Sequence, residues 1–159
     1  MGESESAESS VGRVSGDRQG SDPGQRRIRT VVADDSADWR AVVAALLKLE
    51  DDVEVVAHVG NGQEAIEAVT VLRPELAVID LRIGGLDALT TASLLRNQFP
   101  SLDVILMADR DSPRIRATCQ ASGAKCVIHK AKFRDEFVPL LAQIKGRLRG
   151  SAVVATEAK

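Results

Sequence analysis

Cysteine, aromatic residues and long apolar runs are all scarce in this sequence. Two cysteines among 159 residues, Cys119 and Cys126, are too few for a disulfide framework and lack the spacing of a zinc site. We expect both to pack as small apolar side chains. The longest apolar run covers residues 41–47, far short of the roughly 18 residues of a membrane span, and no signal segment opens the chain. These absences argue against a secreted mini-protein or a membrane protein and favour a soluble, cytoplasmic one.

An excess of charge of one sign is also lacking. The 21 basic and 23 acidic side chains leave a formal net charge of −2, which predicts no strong electrostatic attraction to nucleic acid or to a membrane surface. Only three Phe and one Trp are present, and no helix-turn-helix follows residue 149, so direct nucleic-acid binding is not expected. With 44% apolar and 28% charged residues, the composition is that of an ordinary globular domain.

The ends of the chain differ from its middle. Residues 1–27 contain six Ser and five Gly with few apolar side chains, so little burial could offset the entropy lost on ordering them. We predict a disordered tail there and a flexible C-terminal tail over residues 150–159. The remaining segment, residues 28–149, has the size of one domain and must carry any activity.

Short apolar runs alternate with segments of helical period between these ends. Five runs rich in Val and Ile predict strands covered on both faces, at residues 28–33, 53–58, 75–79, 102–107 and 125–128. Apolar residues three and four apart predict amphipathic helices between the strands. Ser112 before Pro113 predicts the start of the fourth helix, and Gly123 its left-handed end. A last helix should start near Asp135 and run to about residue 149, with Pro139 in its first turn.

Strict alternation of strand and helix predicts an α/β fold: a doubly wound, five-stranded parallel sheet with helices on both faces. In such folds, ligands bind beyond the carboxyl ends of the strands. The residues that follow the predicted strands are therefore the first candidates for function.

Three carboxylates and one ammonium group follow these strands. Asp34 and Asp35 end the first strand, Asp80 ends the third, and Lys130 follows the fifth. Carboxylates brought this close together need a balancing cation, and an all-oxygen cluster suits Mg²⁺. Asp80 stands alone at a central strand end, so it is the candidate nucleophile toward a phosphoryl group. The competing interpretation is structural, with Asp35 or Ser36 acting only as a helix N-cap.

The pattern resembles the receiver domain of response regulators in two-component signalling. The resemblance covers residues 27–149 and depends on four stretches: VVADD at 31–35 with Arg40 following, GQEA at 62–65, PELAVIDL at 74–81, and Gly123-Ala124 leading to Lys130. It implies a flavodoxin-like sheet of order 2-1-3-4-5 and phosphorylation of Asp80 by a histidine kinase or phosphotransfer protein. It also implies Mg²⁺ held by Asp35, Asp80 and the backbone carbonyl of Arg82, with Asp34 acting through water and Lys130 contacting the phosphoryl group.

Several positions depart from the family pattern. Met107 replaces the usual Ser or Thr, and a thioether cannot donate a hydrogen bond to a phosphoryl oxygen. Val127 replaces the usual aromatic switch residue on the fifth strand. Residues 83–85, Ile-Gly-Gly, predict a looser loop after Asp80, and Ala131 replaces a cis-proline after Lys130. The nucleophile and metal ligands are kept while the residues that transmit phosphorylation are not, which predicts an atypical receiver.

A different class of protein is suggested by residues 60–65, which match the dinucleotide-binding pattern G-x-G-x-x-A, with Asp80 following 20 residues after Gly60. Against it, Glu64 would bring negative charge toward a pyrophosphate, and the acidic cluster and Lys130 would have no role. The alternative is that these glycines only make a tight turn into the second helix.

Partners must be inferred from the surface. Seven basic residues between positions 110 and 134 predict a positive edge formed by the fourth helix, fifth strand and fifth helix: Arg110, Arg114, Arg116, Lys125, Lys130, Lys132 and Arg134. In the family this face forms output and homodimer contacts, which suggests an acidic protein partner. We therefore predict a stand-alone, non-enzymatic receiver that signals by protein contact. The rival interpretation is a pseudo-receiver that is never phosphorylated and serves as a constitutive interaction module.

Overall fold

A computed structural model describes residues 26–157, and side chains as far as residue 151. The strands are β1 (Ile28–Ala33), β2 (Val53–Val59), β3 (Leu76–Asp80), β4 (Asp103–Ala108) and β5 (Cys126–His129). The helices are α1 (Ala37–Lys48), α2 (Gly62–Leu72), α3 (Ala88–Gln98), α4 (Pro113–Ala121) and α5 (Phe133–Glu157), with a 3₁₀ turn at Lys130–Lys132. All strands pair in parallel in the order β2-β1-β3-β4-β5, which confirms the predicted fold.

Two apolar cores lie on the two faces of the sheet. Alternate residues of β3 point to opposite faces, with Leu76 and Val78 in one core and Ala77 and Ile79 in the other. Helices α1 and α5 cover the first face, and α2, α3 and α4 cover the second. Burial on both faces explains why the strands are continuous apolar runs. The cysteines pack as predicted, Cys119 buried in the second core and Cys126 half-buried against the first.

Short-range capping fixes where the helices begin. Ser36 caps α1 by accepting from the N–H of Trp39. Ser112 caps α4 with Pro113 next to it, as predicted, and Gly123 follows α4 with a φ of +89°. Because Ser36 caps α1, the neighbouring carboxylate of Asp35 is not required for capping.

The last helix is longer than predicted at both ends. It begins at Phe133 and continues to Glu157, past the predicted helix end near residue 149, and Pro139 lies inside the helix rather than in its first turn. The early start buries Phe133 and Phe137, whose rings stack with centroids 5.1 Å apart. Pro139 is on the exposed side of α5, where water can reach the carbonyl that loses its helical partner. Most of the tail predicted at residues 1–27 lies outside the described residues.

Ion pairs hold α5 to the end of the sheet opposite the predicted site. Arg147 binds the buried Asp103 at the start of β4, and Lys145 pairs with Asp52, just before β2. These two contacts are made by the turn of α5 that precedes residue 150. They hold this part of the helix against the domain.

The loop between β3 and α3 is anchored, so the prediction of a loose loop is wrong. Gly84 forms an isolated bridge with Asn61, and the N–H of Leu86 donates to Gln63 Oε1 at 3.1 Å. Gly85, with φ of +69°, fits against Gln63. Gly85 therefore allows close contact between this loop and the start of α2.

Gly62→Ala is expected to destabilise the protein by about 1–2 kcal/mol, because overpacking a filled site forces the backbone to shift. An added Cβ would lie 2.2 Å from the carbonyl oxygen of Leu86 and 2.5 Å from Thr91 Oγ1. Gly84→Ala is the matched control, since nothing lies within 4 Å of its added Cβ. Urea unfolding of both variants tests this, and equal midpoints would contradict it.

Candidate functional site

An open pocket lies at the carboxyl ends of β1, β3 and β5. Its volume is about 290 Å³, and its lining is predominantly polar: Asp34, Asp35, Ser36, Asp80, Arg82 and Lys130. The strand order places β1 beside β3, so the carboxylates that follow these two strands meet at one edge of the sheet. The structure thus brings together five of the six residues predicted from the sequence, and the sixth, Met107, pairs in register with Asp80.

Asp34 is fully buried and held by both of its carboxylate oxygens. Oδ1 accepts the backbone N–H of Ser36 at 2.8 Å, and Oδ2 accepts Lys130 Nζ at 3.2 Å. These contacts fix the carboxylate at the floor of the pocket. A carboxylate this deeply buried is costly unless its oxygens have polar partners, which both have here.

Lys130 lies between two carboxylates. Its ammonium nitrogen is 3.2 Å from Asp34 Oδ2 and 3.2 Å from Asp80 Oδ1, and only 12% of the side chain is exposed. Every described peptide bond is trans, including that before Ala131. The 3₁₀ turn that follows β5 delivers Lys130 to the pocket without the proline of the family pattern. Lys130 therefore belongs to the pocket and not to the positive surface edge predicted from the sequence.

Asp80 is the carboxylate whose environment opposes ionisation. Burial raises its pKa above the ordinary value, the charge of Asp34 raises it further, and Lys130 opposes both effects. Asp80 Oδ1 is buried and accepts no hydrogen bond from the described residues. Its contact with Lys130 Nζ, at 3.2 Å, is an ion pair. A buried anionic oxygen left in this state can accept a further cation.

The three carboxylates fit a divalent metal. One oxygen from each of Asp34, Asp35 and Asp80 lies within 4.8 Å of the other two. Asp35 is exposed while Asp34 and Asp80 are buried, so water has access from one side. An all-oxygen set with an open side is the environment that suits Mg²⁺, which keeps several water ligands. Together with the unsatisfied oxygen of Asp80, this donor set fits the ion.

Arg82 and Met107 are the predicted site residues whose side chains supply neither a carboxylate nor an ammonium group to the pocket. Arg82 lines the pocket, but its guanidinium pairs with Asp109 beyond the end of β4. Met107 is completely buried between Asp80 and Ile128 in the sheet, at the position predicted for it. Its thioether places no hydroxyl donor beside Asp80.

Sequence reasoning missed the pair formed by Arg82 and Asp109. The signal was available, because each follows by two residues a position that the sheet pairs directly, Asp80 with Met107. Opposite charges two residues beyond the ends of neighbouring parallel strands are close in space. Recognising this required the strand register, which the apolar runs locate only to within one residue.

The glycine-rich stretch at residues 60–65 serves as a helix cap. Asn61 Oδ1 accepts the N–H of Glu64 at 2.9 Å, and Glu64 Oε2 accepts the N–H of Gly60 at 2.9 Å. This capping box occupies donors that a pyrophosphate would need. The structure therefore supports the interpretation of a tight turn into α2 over that of a dinucleotide site.

A parallel sheet of order 2-1-3-4-5, with an acidic pocket and a lysine at the carboxyl ends of its strands, defines the receiver class of flavodoxin-like domains. The model of the response regulator receiver domain family matches residues 30–142. The chain belongs to this family, whose members act in two-component regulatory systems.

Similarity to known proteins in sequence and in structure supports this assignment. The probable transcriptional regulatory protein NarL of Mycobacterium tuberculosis is 31% identical over 128 residues, which cover 80% of this chain and 59% of NarL. The structure of the NarL signal receiver domain has a TM-score of 0.70 at 30% identity, covering 76% of this chain and 98% of that one. The response regulator domain of Thermotoga maritima CheB gives a TM-score of 0.66 at 26% identity, covering 76% of this chain and 96% of that one.

The chain spans only part of its curated relatives. It covers 59% of NarL and 27% of a protein-glutamate methylesterase/protein-glutamine glutaminase of Syntrophomonas wolfei, to which it is 33% identical over 95 residues, or 60% of this chain. The match is thus to their receiver portion. Within residues 26–157, no helix combines the length and apolar character needed to cross a membrane.

Proposed function

We propose that this chain accepts a phosphoryl group on Asp80 in a Mg²⁺-dependent reaction, with a histidine kinase or a phosphotransfer protein as donor. The observation that carries the proposal is the position of Lys130, whose ammonium is 3.2 Å from both buried carboxylates. A cation held there can neutralise charge on a phosphoryl group transferred to Asp80.

The transfer needs one nucleophile and positively charged groups around the phosphoryl group. A carboxylate oxygen of Asp80 attacks phosphorus, a new P–O bond forms, and the bond from phosphorus to the donor breaks with its electron pair leaving on the donor. Lys130 neutralises charge on the phosphoryl oxygens. Asp35, Asp80 and the carbonyl of Arg82 would hold Mg²⁺, with Asp34 acting through water. When bound, the ion supplies charge neutralisation and orientation to the transferred group.

The proposed output is contact with another protein. Exposed cations on and around α4, β5 and α5 would favour an acidic partner or a second copy of the chain: Arg110, Arg114, Lys125, Lys132 and Arg134. Arg116 adds less than predicted because it is paired with Asp111. The proposed role is regulatory and cytoplasmic, without turnover of an external substrate or direct nucleic-acid binding.

A pseudo-receiver that acts without phosphorylation is the second candidate. Met107 favours it, because this position has no hydroxyl that could donate a hydrogen bond to a phosphoryl group on Asp80. Half-buried Val127 favours it as well, because its short, branched side chain has little freedom to change rotamer. Phosphorylation and its structural consequence are therefore separate questions for this chain.

Incubation with acetyl phosphate and Mg²⁺, followed by intact-mass measurement, tests the main proposal. A phosphoryl adduct is expected on the wild-type chain, and both Asp80→Asn and removal of Mg²⁺ with EDTA should abolish it. Asp109→Asn is the matched control, since this carboxylate also lies beyond a strand end but does not line the pocket. No adduct from acetyl phosphate or from any kinase tested would favour the pseudo-receiver, and an adduct retained by Asp80→Asn would exclude Asp80 as the acceptor.

A further inference from the structure

The indole ring of Trp39 lies against Lys130. Nζ of Lys130 is 5.0 Å from the ring centroid, within the range of a cation–π contact. The same nitrogen contacts Asp34 and Asp80, so the ammonium has three neighbours that attract it. Trp39 is the single tryptophan of the chain and is half-buried against the core formed with α1 and α5.

Contacts connect this ring to the pocket by two routes. The backbone N–H of Trp39 donates to Ser36 Oγ at 3.2 Å, and the backbone N–H of Ser36 donates to Asp34 Oδ1 at 2.8 Å. The ring then contacts Lys130, which donates to the other oxygen of Asp34. The four residues form a closed circuit in which the first turn of α1 is joined to the turn after β5.

The indole nitrogen gives a second, independent indication that contacts of the ring face, and not a hydrogen bond, hold Trp39 in place. Trp39 Nε1 is buried, and no described residue accepts a hydrogen bond from it. An unpartnered buried donor opposes this placement of the ring. Apolar packing and the contact with Lys130 must therefore hold the ring where it is.

We propose that Trp39 is a positioning residue that holds the ammonium of Lys130 between Asp34 and Asp80. Its effect on the phosphorylation rate rests on the proposed function, whereas its effect on Lys130 and on cation binding does not. Without the ring, Lys130 would spend less time against the carboxylates. The pocket would then bind Mg²⁺ more tightly, because less positive charge opposes the ion, while phosphorylation would slow because Lys130 is displaced.

Opposite changes of these two quantities distinguish positioning from simple damage to the fold, which would weaken both. For Trp39→Leu we expect Mg²⁺ affinity to rise and the rate of phosphorylation by acetyl phosphate to fall, each by about threefold to tenfold, the range of a partly desolvated cation–π contact. Trp39→Phe keeps an aromatic face and should retain most of the wild-type behaviour. Leu46→Ala is the control, since Leu46 is also half-buried on α1 against the same core.

The test combines calorimetric titration with Mg²⁺, phosphorylation rates and NMR of the Lys130 side chain, each in the wild-type and the Lys130→Ala backgrounds. The Lys130 ε-methylene protons should show a ring-current shift that is lost in Trp39→Leu, and Trp39→Leu should have no effect on Mg²⁺ affinity or rate once Lys130 is alanine. The NMR experiment uses Trp39→Phe if Trp39→Leu does not fold, with a reduced shift expected.

The outcomes separate the two proposals. If the wild-type chain takes no phosphoryl group, the proposed function fails while the NMR and Mg²⁺ measurements still decide the role of Trp39. Unshifted Lys130 protons in the wild type would overturn the role of Trp39, as would an equal effect of Trp39→Leu with and without Lys130. A parallel loss of Mg²⁺ affinity and rate would assign the ring a structural role only.

Discussion

Asp80→Asn is expected to raise the melting temperature of the metal-free protein at neutral pH while it abolishes phosphorylation completely. Burial and the neighbouring charge of Asp34 raise the pKa of Asp80, so ionisation of this group in the folded state costs free energy. Asparagine has nearly the same shape and carries no charge. A gain of about 1 kcal/mol would appear as a rise of roughly 4 °C for a domain of this size.

The pH dependence of this gain follows from the direction of the pKa change. Because the folded pKa of Asp80 lies above its ordinary value of 3.8, the folded state binds more protons than the unfolded state between these two values. The contribution of Asp80 to stability therefore falls as the pH rises through this window and stays low at neutral pH. Below pH 3.8 Asp80 is protonated in both states, and the advantage of asparagine should disappear.

Thermal unfolding from pH 3 to pH 8, with and without Mg²⁺, measures this effect. Mg²⁺ should stabilise the wild type and have little effect on Asp80→Asn, because a bound ion compensates the carboxylates only where they are charged. Asp87→Asn is a control of opposite sign, since the N–H and hydroxyl of Thr90 lower the pKa of the exposed Asp87. Destabilisation by Asp80→Asn in metal-free buffer at neutral pH would contradict the expectation that the charge of Asp80 destabilises the folded state.

The pocket was predictable because it depends on strand ends and on the order of the sheet. Asp34 and Asp80 directly follow apolar runs and Lys130 follows one after His129, and an error of one residue in strands such as β3 does not move them away from the edge of the sheet. The resemblance to receivers supplied the order that brings β1, β3 and β5 together. Apolar periodicity alone would have left that order open.

The features that were not predicted depend on tertiary contacts. Pro139 argues locally against a helix interior, yet burial of Phe133 and Phe137 outweighs the lost hydrogen bond. Gly84 and Gly85 suggest flexibility, although here the backbone of Gly84 bridges Asn61 and Gly85 permits close contact with α2. Charge counting likewise assigned Lys130 to a surface edge. Each error arose where a residue's local preference was outweighed by contacts with residues distant in sequence.

Met107→Thr is expected to restore a structural response to phosphorylation at a cost in stability. Met107 is completely buried, so truncating it should destabilise the protein by about 2–3 kcal/mol through lost contacts and a residual cavity. Met107→Val is the matched control, because valine has nearly the shape of threonine without the hydroxyl. The two variants should lose similar stability, with any excess for threonine reflecting its buried hydroxyl.

Of these three proteins, only the threonine variant can donate a side-chain hydrogen bond from position 107 to the phosphoryl group. Position 107 pairs with Asp80 in β3 and with Ile128 in β5, so a hydroxyl drawn toward a phosphoryl group on Asp80 would shift β4 and the start of α4. Amide chemical shifts recorded before and after treatment with beryllofluoride and Mg²⁺ measure this movement. We expect large changes over residues 108–116 in Met107→Thr and small ones in Met107→Val and the wild type. Identical responses in all three proteins would show that Met107 does not disable the switch, and that this receiver transmits phosphorylation through other contacts.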